Sequence, residues 1–350
     1  MQYTNTPKSP AEPRLFRPSS DRPMAMLKIC PAYAPTPLIG LQSLAGECGV
    51  GTLSLKDESQ RMRLGSFKAL GGAFAVAQMI SDRSGEADPT SDAAKAVARD
   101  LTFITASAGN HGLSIAAGAR VFGANGVIVL SASVPEGFAA RIRAMGAEVV
   151  RVDGNYEDSV AEAMSLADAN DWLLLADGSW DGYIERPALA MEGYTVLAEE
   201  CRSEFVASGN WPTHVFLQAG VGGFAAAVAA QIRVHWAERP EIIIVEPDDA
   251  PCLIESVKAG RMTHVDGPLS NMGRLDCKDA SLIAYSSLKD DADLFITISD
   301  DEGAAAADTL AAHNLKTTPS GAASLAGLKK IAPGADSRCL VFMTEGLEEG

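Results

Sequence analysis

Apolar residues along this chain follow two rhythms that take turns. Short apolar runs bounded by turn residues read as buried strands, and stretches with apolar positions three and four apart read as helices. The first pair is Leu53-Ser54-Leu55-Lys56-Asp57-Glu58, a strand giving way to a charged loop, followed by a helix over 69–80. A polar break over 84–91 leads to a helix over 92–99 and a strand over 101–105. Helices over 113–122, 137–145 and 157–170 then separate strands over 126–130, 148–152 and 172–176. Further on come a strand over 215–217, an Ala-rich helix over 224–234, a helix opening at Ser320 and a last strand over 339–343. Strand and helix alternating through short connections predict an α/β fold, with parallel sheets covered by helices on both faces. Residues 1–23 hold too little apolar content to pack, so a flexible arm is expected over 1–34. Pro35-Thr36-Pro37-Leu38-Ile39 enters the fold as an extended segment before a short helix over 41–45. Residues 266–278, rich in Gly, Pro, Asn and Asp, predict a loop over a site entrance.

Composition narrows the class. At 350 residues, 47% hydrophobic and 21% charged, the chain is an ordinary globular protein with room for two domains. A net charge of -16 argues against nucleic acid or an anionic membrane as partner. The apolar runs near Ala116 and Ala225 are too short and interrupted to cross a bilayer, and residues 1–35 lack the apolar stretch of a secretory signal. Cys30, Cys48, Cys201, Cys252, Cys277 and Cys339 are scattered without a C-x-x-C pair, so free thiols and no metal site are expected, in a cytoplasmic setting.

Candidate chemistry gathers where parallel sheets bind ligands, at the carboxyl ends of strands. The strand over 101–105 ends at Ser107-Ala108-Gly109-Asn110-His111, that over 172–176 at Asp177, and that over 215–217 at Gly220-Val221-Gly222-Gly223. The glycine segment lies between strand and helix, where backbone amides and the positive helix end favour a phosphate. Gly220, Gly222 and Ala225 also fit the alanine variant of a dinucleotide fingerprint, with Glu246 at the end of a later strand as its acid. That reading leaves Lys68 and the serine loop without a role. Lys68 opens the 69–80 helix, a poor place for a cation, and apolar Phe67 and Leu70 flank it. Both effects predict a depressed pKa and an amine able to attack a carbonyl; a surface lysine is the plain alternative.

Four ordered segments carry a resemblance: Ser66-Phe67-Lys68, Thr105-Ala106-Ser107-Ala108-Gly109-Asn110-His111-Gly112, Gln218-Ala219-Gly220-Val221-Gly222-Gly223 and Thr344-Glu345-Gly346. Together they resemble the fold-type II pyridoxal-phosphate enzymes, the family of threonine dehydratase, serine racemase and the tryptophan synthase β chain. Asp177-Gly178-Ser179-Trp180 and Val152-Asp153-Gly154-Asn155-Tyr156 are most similar to the diaminopropionate ammonia-lyase branch. The resemblance implies two parallel-type α/β domains with pyridoxal 5'-phosphate between them. It makes 35–82 and 188–350 the large domain and 83–187 a small mobile one, in a homodimer. Lys68 would carry the cofactor as a Schiff base, Gly220, Val221, Gly222 and Gly223 its phosphate, Asn110 its phenolic oxygen and Thr344 its pyridine nitrogen. Ser107, Ala108, Gly109, Asn110 and His111 would form the loop for the substrate carboxylate, and Asp177 would assist departure of an amine. The implied reaction is α,β-elimination of an L-amino acid resembling 2,3-diaminopropionate, giving a 2-oxo acid and ammonia. A dehydratase of serine, threonine or 3-hydroxyaspartate is the alternative, because Ala108 stands where those ammonia-lyases carry aspartate. The same substitution predicts strong preference for the L-enantiomer.

Overall fold

The apolar runs form two separate sheets in the computed structural model, which describes residues 1–6, 13–30, 32–107 and 109–347. In chain order the strands are β1 (Gln2–Thr4), β2 (Leu38–Gly40), β3 (Thr52–Asp57), β4 (Thr102–Ala106), β5 (Asn125–Ser131) and β6 (Glu148–Val152). They continue with β7 (Leu173–Leu174), β8 (His214–Gln218), β9 (Glu241–Pro247), β10 (Leu294–Ile298) and β11 (Arg338–Met343). One sheet has the order β1-β10-β9-β8-β11-β3-β2 and the other β6-β5-β4-β7. The smaller sheet is wholly parallel. So is the larger one except at its edges, where β1 and β2 pair antiparallel to β10 and β3. Residues 215–218 and 242–247 are buried without a break, as strands covered on both faces must be.

Two helices carry the chain from one sheet to the other and back. Lys68–Ser84 leaves the larger sheet after β3, and Glu185–Ser208 returns to it before β8. They cross in close contact: a Cβ at Gly193 would lie 2.7 Å from Leu70 O. Apolar layers line both faces of each sheet.

Two departures from the sequence pattern have physical reasons. The strand expected over 172–176 shortens to Leu173–Leu174 because the Ala176 amide donates to Tyr183 Oη (3.1 Å) instead of a neighbouring strand. The described residues of the expected flexible arm carry regular structure. Gln2–Thr4 adds to the open edge of β10, Asp21–Leu27 is a helix, and Phe16 is buried. Arg14 pairs with Asp291 at 2.5 Å, and Arg22 with Glu192. Backbone hydrogen bonds and arginine–carboxylate pairs thus supply what low apolar content does not. Among the described residues no helix is long and apolar enough to cross a membrane, and no His/Cys/Asp/Glu cluster is placed to hold a metal ion. All six cysteines are free thiols.

Candidate active site

The segment that presents Lys68 is anchored by buried charge. Beyond β3, Arg61 donates to Glu58 Oε2 (2.7 Å) and to Glu200 Oε2 (2.7 Å), and Lys56 Nζ also reaches Glu200 Oε2 (2.5 Å). All four side chains are buried, and two cations balance two anions, as burial requires. Over this anchor the chain turns through Met62 and Arg63, both with positive φ (51° and 61°). Such backbone persists only where its surroundings over-determine it. Phe67 then wedges its ring between Tyr194 and Phe224, and its amide donates to Thr344 O (3.1 Å). Lys68 follows as the first residue of its helix, as the sequence predicts.

Lys68 Nζ lies 2.6 Å from Asp177 Oδ2, with the two side chains 22% and 26% exposed. Burial works against the ammonium, but the adjacent carboxylate outweighs it and holds the Lys68 pKa above its ordinary value. The expected depression is therefore reversed: the sequence shows the helix end and the apolar neighbours, not a partner more than a hundred residues away. Burial likewise disfavours the Asp177 anion, yet Lys68, and secondarily His111, hold its carboxyl below the usual carboxylate range.

Asp177 is aimed by its own motif. Tyr183 Oη accepts from Ala176 N and donates to Leu174 O (2.8 Å), closing the turn so that the carboxylate is left for Lys68. Trp180 stacks on the Tyr183 ring at 4.4 Å. Ser179 Oγ meets Ser281 Oγ at 2.7 Å, and the Ser281 amide donates to Val221 O (2.9 Å). Asp177 is thereby tied to the glycine loop. His111 sits close by, buried, with Nε2 2.7 Å from Leu175 O; burial pulls its pKa down. Its Nε2–H donates to that carbonyl, and Nδ1 has no protein partner.

The glycine loop joins β8 to the helix Gly223–His235. Gly222 has φ +97°, and a Cβ there would strike Leu253 and Ala284 at 2.9 Å, so only glycine turns the chain into the helix without strain. The result is a run of amides at a positive helix end facing Asp177: a Cβ on Gly223 would lie 3.9 Å from Asp177 O. Such an arrangement can hold a phosphate. At the same strand end Gln218 Nε2 donates to Thr344 Oγ1 (3.2 Å). With that lone pair engaged, the Thr344 hydroxyl keeps its proton to donate to a neutral ring nitrogen. Amine, phosphate cradle and hydroxyl donor thus fit pyridoxal 5'-phosphate. The dinucleotide reading loses its acid: Glu246 is fully buried and accepts from the amides of Leu253 (2.7 Å) and Ile254 (2.8 Å).

The serine loop closes the other side. Gly109 N donates to Ser107 Oγ (3.3 Å), and Asn110 opens the helix Asn110–Phe122. Ala108 lies outside the described residues. Asn110 Nδ2 donates to Glu345 Oε2, whose partner oxygen accepts from Thr318 Oγ1 (2.5 Å). Glu345, buried and adjacent to Thr344, is a site residue that the sequence shows only as a motif neighbour. Arg274, above Gly109, is another that no motif marks by role.

Residues 29–345 match the family model described as "Pyridoxal-phosphate dependent enzyme". The chain is 36% identical to the diaminopropionate ammonia-lyase of Escherichia coli (strain K12) over 273 residues, 77% of this chain and 69% of that protein. It is 28% identical over 286 residues to the probable D-serine dehydratase of Acidovorax sp. (strain JS42), covering 75% of this chain and 62% of that one. The crystal structure of diaminopropionate ammonia lyase from Escherichia coli in complex with D-serine superposes with a TM-score of 0.87 at 30% identity, covering 99% of this chain and 93% of that one. The same enzyme in complex with an aminoacrylate-PLP azomethine reaction intermediate gives 0.85 at 31%, with the same coverage. The chain therefore belongs to the fold-type II pyridoxal-phosphate dependent enzymes, and within them to the diaminopropionate ammonia-lyase family.

Proposed function

We propose that this protein is a pyridoxal-phosphate-dependent ammonia-lyase that eliminates the β-amine of an L-amino acid resembling 2,3-diaminopropionate. The observation that carries the reading is the 2.6 Å contact between an ammonium and Asp177. A carboxylate held ionised at that spot suits a substrate with a second amine, because an amine leaves carbon only as the protonated form.

The cofactor, when bound, supplies the carbonyl that links to an amine and the ring that withdraws electrons from Cα. Lys68 is the amine that would link to it, and as a free amine Lys68 would be the base that takes the Cα proton. Asp177 pairs with the β-ammonium, keeps it protonated and orients it for departure. Gly220, Val221, Gly222 and Gly223 would offer amides to the phosphate, and Asn110, steadied by Glu345, would hydrogen-bond the phenolic oxygen. Thr344 would offer the ring nitrogen a hydrogen bond without protonating it, which favours elimination over transamination. Ser107, Gly109 and the helix opening at Asn110 hold the substrate carboxylate; Ala108 shares the loop without adding a polar group. His111, buried behind Asp177, takes part through its backbone at the helix start and through the field on Asp177.

Hydrolysis of the elimination product gives a 2-oxo acid. Diaminopropionate then yields two ammonia per 2-oxo acid, and a hydroxy amino acid only one. Release of both products from L-2,3-diaminopropionate at a ratio of two, by holoenzyme whose visible chromophore is reduced by borohydride, tests the reading. Turnover of serine, threonine or 3-hydroxyaspartate alone replaces it with the dehydratase reading, for which the D-serine dehydratase relatives speak. We further propose a cytoplasmic homodimer, with residues 83–187 as the domain that moves over the site. Sedimentation of the holoenzyme as a monomer would remove the dimer.

A further inference from the structure

Arg274 occupies a place that the reaction above does not use. Its backbone belongs to the larger unit: its amide donates to Ser320 Oγ (3.1 Å), and its carbonyl lies 3.2 Å from where a Gly220 Cβ would be. Its side chain crosses to the other unit. A Cβ built on Gly109 would lie 2.8 Å from Arg274 Nη1 and 3.2 Å from Cζ, so the guanidinium rests directly on the Gly109 backbone. It lies over the Phe138 ring at 5.9 Å, and Nε is 3.7 Å from Glu345 Oε2, the oxygen that also takes Asn110 Nδ2. The side chain is 36% exposed.

We propose that Arg274 is a specificity-determining residue that pairs with the substrate α-carboxylate on the serine loop. The proposal rests on the lyase reading. A carboxylate taking amides at Gly109 and Asn110 comes within reach of the guanidinium seated on Gly109. Five fixed N–H donors let Arg274 hold it while keeping Glu345. Backbone amides and a serine hydroxyl accept any oxygen acceptor, whereas a cation separates an acid from its neutral amide. Glycine at 109 leaves room for this contact, since a Cβ there would lie 2.8 Å from Nη1 and displace the guanidinium from the loop.

The test compares L-alanine with L-alaninamide, neither of which has a leaving group, by titrating holoenzyme and following the change in cofactor absorption. Wild type is expected to bind the acid more tightly than the amide. Arg274→Gln should weaken acid binding about ten- to a hundredfold, the range for a hydrogen bond to a charged group, and leave the amide within about threefold. Arg274→Lys should recover part of the loss. In turnover of L-2,3-diaminopropionate, KM should rise with kcat nearly kept. Equal loss for acid and amide would mean that Arg274 only latches the two units together, and unchanged acid binding would remove it from the site; either result overturns the proposal. If wild type releases no ammonia from any diamino acid yet still separates acid from amide through Arg274, the lyase reading fails while this inference stands.

Discussion

Replacing Asp177 with asparagine isolates the charge on which the proposed reaction depends. The substitution keeps size and one hydrogen-bond acceptor, and removes the anion 2.6 Å from Lys68 Nζ. A hydrogen bond to a charged group contributes about 1.5–3 kcal/mol. An acid/base group acting in the transition state contributes ~10²–10⁴ in rate, about 2.7–5.5 kcal/mol of barrier. Asp177→Asn should therefore lower kcat/KM for L-2,3-diaminopropionate by ~10²–10⁴, with cofactor content unchanged. Steady-state ammonia release, normalised to the visible absorbance of the holoenzyme, measures it. The protein freed of cofactor gives an independent reading. Asp177 sits below its ordinary pKa of 3.8 and Lys68 above 10.5. The carboxylate's share of stability is present above pH 3.8 and lost as pH falls through its lowered pKa. The lysine's share is present below pH 10.5 and lost as pH rises through its raised pKa. Thermal melts across pH should lose both flanks in the variant. A fully loaded variant that keeps turnover within about threefold, far short of an acid/base effect, would refute the assignment.

Three further outcomes follow from single positions. Lys68→Ala should fold, lose the borohydride-reducible chromophore and lose elimination; full turnover by a clean preparation would sink its role as Schiff-base residue. Burial pushes Glu246 up to about 8 against two amide hydrogen bonds, so its stabilising proton is held fully below pH 4.5 and lost as pH rises through 8. Glu246→Gln should flatten the fall in urea midpoint between pH 5 and pH 8, and an unchanged slope counts against the shift. Ala108→Asp should add activity on D-2,3-diaminopropionate while wild type stays selective for the L form, because alanine stands where the resembling ammonia-lyases carry aspartate and has no group to take a proton. Comparable wild-type rates on purified enantiomers would end that idea.

The sheets were legible in the sequence because parallel strands covered on both faces are continuous apolar runs, and Val215-Phe216-Leu217 and Ile242-Ile243-Ile244 state this residue by residue. Their edges were not, since β1 is joined to β10 by backbone hydrogen bonds that any polar tripeptide such as Gln2-Tyr3-Thr4 can make. Lys68 and Gly222 stood out because each sits where local geometry matters, a helix start and a strand-to-helix turn, whereas Thr344 stood out only through the resemblance carried by the four ordered segments. Glu345 and Arg274 did not, because their meaning lies in what they touch. Asn110 is 235 positions from Glu345 in the chain. The sign of the Lys68 pKa was missed for the same reason: helix position is a local property, and the Asp177 carboxylate is not.

Asp177 belongs to the smaller sheet by sequence and to the larger unit by its hydrogen bonds. It follows β7, which pairs with β4 through Phe103 and Ile104. Two residues later Ser179 is clasped from the other side. Its amide donates to Ser281 Oγ (3.1 Å), its hydroxyl accepts from Ile283 N (2.9 Å), and its carbonyl accepts from Leu282 N (2.9 Å). Ser179 and Ser281 are both buried, so water does not compete for these bonds. If residues 83–187 move as proposed, these bonds make the Asp177 turn the exception, holding it beside Lys68 and the glycine loop while the serine loop travels with β4. On that proposal the serine loop opens and closes while the Lys68–Asp177 pair keeps its spacing. Ser281→Ala separates the two behaviours. Losing a buried hydrogen-bond partner costs about 1–3 kcal/mol, and here it should appear in kcat and its pH profile more than in binding of L-alanine. An effect confined to overall stability, with kcat and its pH profile intact, would show that Asp177 is aimed by Tyr183 alone.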